Sequence, residues 1–227
     1  MDPVGRAHAR FDRFLVRYLE KSGITPSCEP GCFFCCYAWV EASLGEVEAI
    51  RREVSEALWA RAVATGRRRA ARLARKKADP ELPRRHFLSR EACPFLEDGR
   101  CGVYAARPLA CRGVLTDLDP HYCAPGVVPG LQGAERARYL AALDPRRHGP
   151  EHYLKKPLKH AREAFFALLE AEASALGFTL AGELTVLAWL LSHPGFRRAQ
   201  RRGKRAVKGW LKRRGLLGGA WGVYLVD

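Results

Sequence analysis

The sequence contains no asparagine, only two glutamines (Gln132 and Gln200) and a single methionine, while Arg, Ala and Leu are used heavily. Few thermolabile side chains beside abundant charge is the composition of a heat-adapted protein. Long apolar runs are also missing. The longest, LTVLAWLL at 184–191, is far short of the roughly 20 residues needed to cross a bilayer, so no membrane span is expected. The opening MDPVGRAHARFDRFLVRYLEKSG interleaves Arg, Asp and Glu with apolar residues. It has no apolar h-region to serve as a secretory leader, and a cytoplasmic location with reduced thiols is expected. Acids are absent from two stretches, 61–77 with eight Lys or Arg and 197–214 with ten. Cysteine is absent from everything beyond residue 123.

The chain has 227 residues, 48% of them hydrophobic, so it can bury a core without cysteines as staples. Phe11, Phe14, Leu15, Tyr18 and Leu19 recur on one helical face, which predicts an amphipathic helix ending near Gly23. Ser43 followed by Glu46 reads as a capping box, with Val47, Ile50, Val54 and Leu58 continuing a second helix behind it; the basic stretch 61–77 follows, and Asp79-Pro80 and Pro83 then break the pattern. Residues 93–130 lack helical periodicity. Two further helices are expected at about 158–176 and 180–191, separated by Gly177 and closed by Pro194, and AWGVYLVD at the end reads as a short strand. The expected fold is mainly α with an irregular cysteine-rich metal-binding segment, allowing a short β-hairpin near 93–104. The expected organisation is a cysteine-rich domain with N-terminal helices over 1–130 and a basic helical extension over 131–227 packed on it.

All eight cysteines, Cys28, Cys32, Cys35, Cys36, Cys93, Cys101, Cys111 and Cys123, fall within 28–123. Cysteines serving as small core residues would be scattered over helix faces throughout the chain. Their segregation implies a shared task, and metal ligation is the one expected of all eight. Disulfide pairing is the competing account, because intracellular disulfides do occur in hyperthermophiles. Cys28-x3-Cys32-x2-Cys35 lets a short loop wrap its sulfurs towards one zinc ion or iron–sulfur cluster, helped by Gly31, which supplies a positive φ, and by Pro30, which restricts the loop. Adjacent Cys35 and Cys36 should diverge, which assigns Cys36 to another centre or to packing. In the distal set CPFLEDGRCGVYAARPLACR, Asp98-Gly99 signals a tight turn. A two-residue loop would set Leu96 opposite Cys101 with the sulfurs of Cys93 and Cys101 on opposite sides, and a three-residue loop would align them about 13 Å apart along the strand; in neither do they share one ion, so they serve different sites or the strand breaks at Pro94. Pro108 as a first helical residue puts Cys111 in a first turn, where the helix dipole favours a thiolate, and Arg107 and Arg112 offset the charge of a tetrathiolate site. Cys28, Cys32, Cys35 and Cys111 are thus the first choice for one shared centre.

The ordered pair of motifs, C-x3-C-x2-CC and then CPFL, C-x-VY, RP and CR, resembles the YkgJ-type or CxxCxxCC family over about residues 28–115, with Glu46 on the helix after the cluster. The resemblance implies chelation of zinc or iron. It does not account for the x3 first spacing or for the extension after 130. A related cysteine set occurs in the longer flagellin lysine N-methylases, so an iron–sulfur enzyme of that kind is an alternative. The three-cysteine loop is also similar to that of radical S-adenosylmethionine enzymes, but the alternating strands and helices of their barrel are missing. A cysteine nucleophile is a weaker reading, since nothing marks His86, His121 or His152 as the base for a given thiol, and His121 beside Cys123 reads as a surface residue or a spare ligand. The net charge of +15 raises nucleic-acid binding through 61–77 and 197–214, with Trp210 stacking on a base, against a merely solvated basic face.

Overall fold

A computed structural model describes residues 2–29, 31–76 and 78–227, apart from the side chain of Lys76. Pro30 and Lys77, the end of the first basic stretch, lie outside the described residues. Helix α1 (Pro3–Ser22) starts under an Asp2 side chain that accepts the Gly5 N–H at 2.7 Å and ends on left-handed Gly23, as its periodicity predicts. Phe11 is its fully buried anchor. A loop then leads to a 3₁₀ turn (Phe34–Tyr37) and strand β1 (Glu41–Ser43).

Ser43 and Glu46 form the predicted capping box at the start of α2 (Leu44–Glu53). The single helix expected through Leu58 is two. Val54 turns extended, and the Ser55 hydroxyl accepts the Leu58 N–H at 3.2 Å to open α3 (Glu56–Lys76); a serine competes with the helix for nearby backbone groups and so tends to restart it. Pro83 does not merely interrupt: it occupies the first turn of α4 (Leu82–Leu88), where its missing N–H costs nothing. Strands β2 (Leu96–Glu97) and β3 (Arg100–Cys101) form the hairpin, with Leu96 opposite Cys101. Positive φ at both Asp98 and Gly99 gives the turn type that matches strand twist.

Short α5 (Leu109–Arg112), α6 (Val127–Gly130) and the unforeseen α7 (Gly133–Ala142) follow, then α8 (Lys155–Leu176), capped by left-handed Gly177. The helix expected over 180–191 begins later. Leu180–Glu183 belong to β4 (Thr179–Glu183), and only then does α9 (Leu184–Ser192) start, with the Glu183 carboxylate accepting the Val186 N–H at 2.8 Å. The reason is that β4 is the central strand of an antiparallel sheet ordered β1-β4-β5, where β5 (Tyr224–Val226) is the predicted terminal strand. A strand buried along its whole length shows no polar alternation to distinguish it from the helix that follows. Pro194 both closes α9 and opens α10 (Pro194–Arg201), which leads to α11 (Lys204–Arg213).

The main core runs from Ala42 to Val223 through α2, α3, β4, α9, α10 and α11. Where α3 passes α9, a Cβ built on Gly66 would fall inside the envelope of the Thr185 carbonyl oxygen and meet the Trp189 side chain. Gly66→Ala should therefore cost about 3 kcal/mol, the upper end for overpacking. Urea unfolding measures it, and a loss below about 0.5 kcal/mol, the usual size of a neutral surface change, would show the helix pair slides apart freely. Trp210 belongs to this core at 5% exposure, packed against Phe196, Trp189 and His193. It cannot stack on a base as the sequence suggested. In the first basic stretch Arg61 donates to the carbonyls of Pro94 and Leu96, and Arg69 and Arg72 pair with Glu91, so these arginines hold the hairpin region rather than face a partner.

Candidate metal centre

Five local structures deliver the eight thiols, all of them free. Cys28 and Cys32 lie on the loop after α1, where Gly31 has the positive φ expected of it. Cys35 and Cys36 sit on the 3₁₀ turn, Cys93 and Cys101 flank the hairpin, and Cys111 and Cys123 come from α5 and a second 3₁₀ turn (Pro120–Cys123). The two halves are stitched by the Cys93 N–H, which donates to the Cys36 carbonyl at 2.7 Å.

The predicted conflict between Cys93 and Cys101 does not arise. Pairing in β2 begins only at Leu96, and the Leu96 N–H donates back to the Cys93 carbonyl at 3.0 Å. This turn, containing Pro94, takes Cys93 out of the strand, and each of the two thiols comes within the other's electrostatic reach or that of Cys36 and Cys111. Cys35 and Cys36 sit side by side on the tight 3₁₀ turn, and the ionisation of each thiol bears on the other.

Backbone N–H groups aim at sulfur in a repeated pattern. Phe34 donates to Cys32, Phe95 to Cys93 and Val103 to Cys101, each two residues ahead, while Thr116 donates to Cys28. Such bonds favour the charged sulfur. Without a cation, burial works against it. It pushes the Cys28, Cys32, Cys101 and Cys111 thiols up and takes Cys93 and Cys123 to about 12. Cys35 alone is lowered, to about 7, first by the hydrogen bond from Cys36 and with help from Arg107; Cys36 is correspondingly raised. Cys111 thus departs from expectation. Pro108 is the residue before α5, the helix is four residues long, and burial outweighs any dipole.

Arg107 is the cation of the cluster. Its charge favours the thiolates of Cys28, Cys35, Cys101 and Cys111, and its guanidinium lies 4.0 Å from the Tyr104 ring centre. Its buried Nε–H has no hydrogen-bond partner among the described residues. Arg112 instead pairs with Asp12 on α1 at 2.9 Å, so it braces the scaffold.

The electrostatic neighbours divide the thiols differently from the expected foursome. Cys111 responds to Cys35, Cys93 and Cys101, whereas Cys123 responds to Cys28, Cys32 and Cys35. Among the described residues no three His, Cys, Asp or Glu side chains form a finished metal-binding set. The donor chemistry nevertheless suits zinc or iron: soft sulfurs, inward N–H groups and an unpartnered buried guanidinium N–H are what a thiolate-bound cation calls for.

The histidines separate cleanly. His121 is exposed. His86 is buried beside Arg69, which bonds Glu183 at 2.6 Å and Glu91 at 3.2 Å; burial and then Arg69 hold its pKa down to about 4. The unfolded chain therefore takes up a proton below about pH 6.5 that folded His86 refuses until about pH 4. Stability contributed by neutral His86 is lost as the pH falls through that window, about 2 to 3 kcal/mol between pH 7 and 4.5. His86→Gln should flatten this part of the profile, and parallel urea titrations that superimpose in slope would refute the assignment. In the sequence His152 is only one of three candidate bases, with no thiol assigned to it. Its Nε2 lies 3.2 Å from Cys123 Sγ, a contact 29 residues apart along the chain that no local pattern announces.

No curated protein and no solved structure matches the chain. Residues 27–124, which contain all eight cysteines, match the model of the CxxCxxCC family, described as "Putative zinc- or iron-chelating domain".

Proposed function

We propose that this protein binds iron, as an iron–sulfur cluster, or zinc through Cys35, Cys93, Cys101 and Cys111, with Cys36 beside them and Cys28, Cys32 and Cys123 forming an adjoining set. The observation that carries this is the cluster of thiols around half-buried Arg107, whose buried Nε–H lacks a partner among the described residues. Four thiolates on a divalent ion leave two negative charges, and a fixed cation in a low-dielectric pocket offsets part of them. A bound centre supplies either Lewis acidity or one-electron transfer. The chain's own residues hold the sulfurs: the Phe95 and Val103 N–H groups orient Cys93 and Cys101, and Cys35 is the thiol that ionises most readily.

Metal analysis and a visible spectrum of anaerobically purified protein test the reading. Thiolate-to-iron absorption identifies a cluster, whereas colourless protein with stoichiometric zinc identifies a zinc site. Neither metal, with the thiols oxidised in pairs, would overturn it. Binding free energy should also act as folding free energy for residues 93–130. After chelation that segment should become protease-sensitive while α8 and α9 stay protected; an unchanged digestion pattern in verified metal-free protein would contradict this.

A further inference from the structure

We infer that His152, 28 residues beyond the matched segment, is a metal ligand that completes a second centre of three sulfurs and one imidazole nitrogen with Cys28, Cys32 and Cys123. The inference rests on the metal-binding reading above.

The two ring nitrogens of His152 are divided between different tasks. Nδ1 is 3.3 Å from the Tyr139 hydroxyl and Nε2 is 3.2 Å from Cys123 Sγ, with the side chain completely buried. A ligating imidazole has the same division, one nitrogen fixed by an oxygen and the other presented to the metal. Sulfur and nitrogen at this distance share one proton, which is what a metal displaces. Tetrahedral zinc with its usual bond lengths separates such donors by about 3.6 Å, so the pair need open by only about 0.4 Å.

One residue yokes the imidazole to the first cysteine. The Thr116 backbone N–H donates to Cys28 Sγ, its carbonyl accepts the Ser27 N–H at 2.8 Å, and its hydroxyl donates to the His152 carbonyl at 2.9 Å. The Leu154 N–H donates to the Leu115 carbonyl at 2.8 Å, and His148 Nε2 lies 2.6 Å from Asp117 Oδ1. The loop that carries His152 is therefore clamped to the 115–117 segment on both sides of the histidine, without any metal. Cys32 sits on the same tight turn as Cys28, its N–H donating to the Glu29 carbonyl at 2.9 Å, and the 3₁₀ turn that follows (Phe34–Tyr37) packs against the one that carries Cys123.

The test uses the full chain reconstituted with zinc, with bound zinc counted and the ligand shell read by X-ray absorption. The wild type should hold two equivalents and show imidazole scattering. His152→Ala should lose one equivalent together with that scattering. His152→Cys should restore the second equivalent while the scattering stays absent, which a purely structural histidine would not do. The inference is overturned if His152→Ala keeps both equivalents, or if the scattering survives in either variant, or if His152→Cys fails to recover the lost zinc. A wild type that binds no zinc or iron overturns the underlying reading instead.

Discussion

Cys111→Ser should empty the main centre, and Cys93→Ser should do the same, while Cys36→Ser should keep most of the metal. A structural zinc site contributes about 10 to 16 kcal/mol over four ligands, so removing one thiolate should weaken binding by about 3 kcal/mol, at least a hundredfold. Cys111 and Cys93 share neighbours across the cluster, whereas Cys36 is the thiol that hands its hydrogen bond to Cys35. Competition with a chromophoric chelator gives the affinities. Full metal in Cys111→Ser beside an empty Cys32→Ser would return the main centre to the loop after α1. Because burial favours the protonated form of Cys93, Cys101 and Cys111, loading must release protons, and affinity should fall as the pH is lowered.

Glu46→Ala should be the most destabilising single change on α2, at about 3 to 5 kcal/mol, and should also release metal. Glu46 is fully buried, and its carboxylate serves three elements at once. It accepts the Ser43 N–H at 3.0 Å within the capping box and the Leu109 N–H at 2.8 Å at the start of α5, and it meets His8 Nε2 of α1 at 3.1 Å. Alanine would leave buried donors without partners, which costs more than the bonds themselves contribute. α5 carries Cys111 two residues after Leu109, so the loss reaches the site. Guanidinium unfolding and metal counting on the same preparation check both effects. A change below about 1 kcal/mol, less than a single orphaned donor should cost, would mean that water takes over the carboxylate's role.

Half of Glu46's role was legible in the sequence. Ser43 and Glu46 stand three apart before an apolar-periodic run, a local pattern with a local cause, whereas the reach to Leu109 crosses 63 positions. The same division holds elsewhere. Asp98-Gly99 marked the turn but left its loop at two or three residues; positive φ at both positions gives the two-residue form and with it the register of Leu96 against Cys101. The N-terminal helix followed from its apolar face and Gly23. Leu180–Glu183 could not be told from helix because burial on both faces erases alternation. The placement of Cys35 and Cys36 depended on a 3₁₀ turn whose sequence gives no helical period, and His152 meets Cys123 across 29 positions, held there by the Thr116 hydroxyl on its carbonyl.

The position of β4 in the middle of its sheet sets a timetable. Strand β1, which leaves the first cysteine loop, has its sheet partner at Thr179–Glu183, so a ribosome must add 60 further residues after Cys123 before that support exists. At about 5 to 20 residues per second this takes about 3 to 12 seconds. Throughout that interval every cysteine has been synthesised and the strand beneath them has not. Nascent chains are thus exposed to oxidants, or open to metal donors, during a defined stage of their own production.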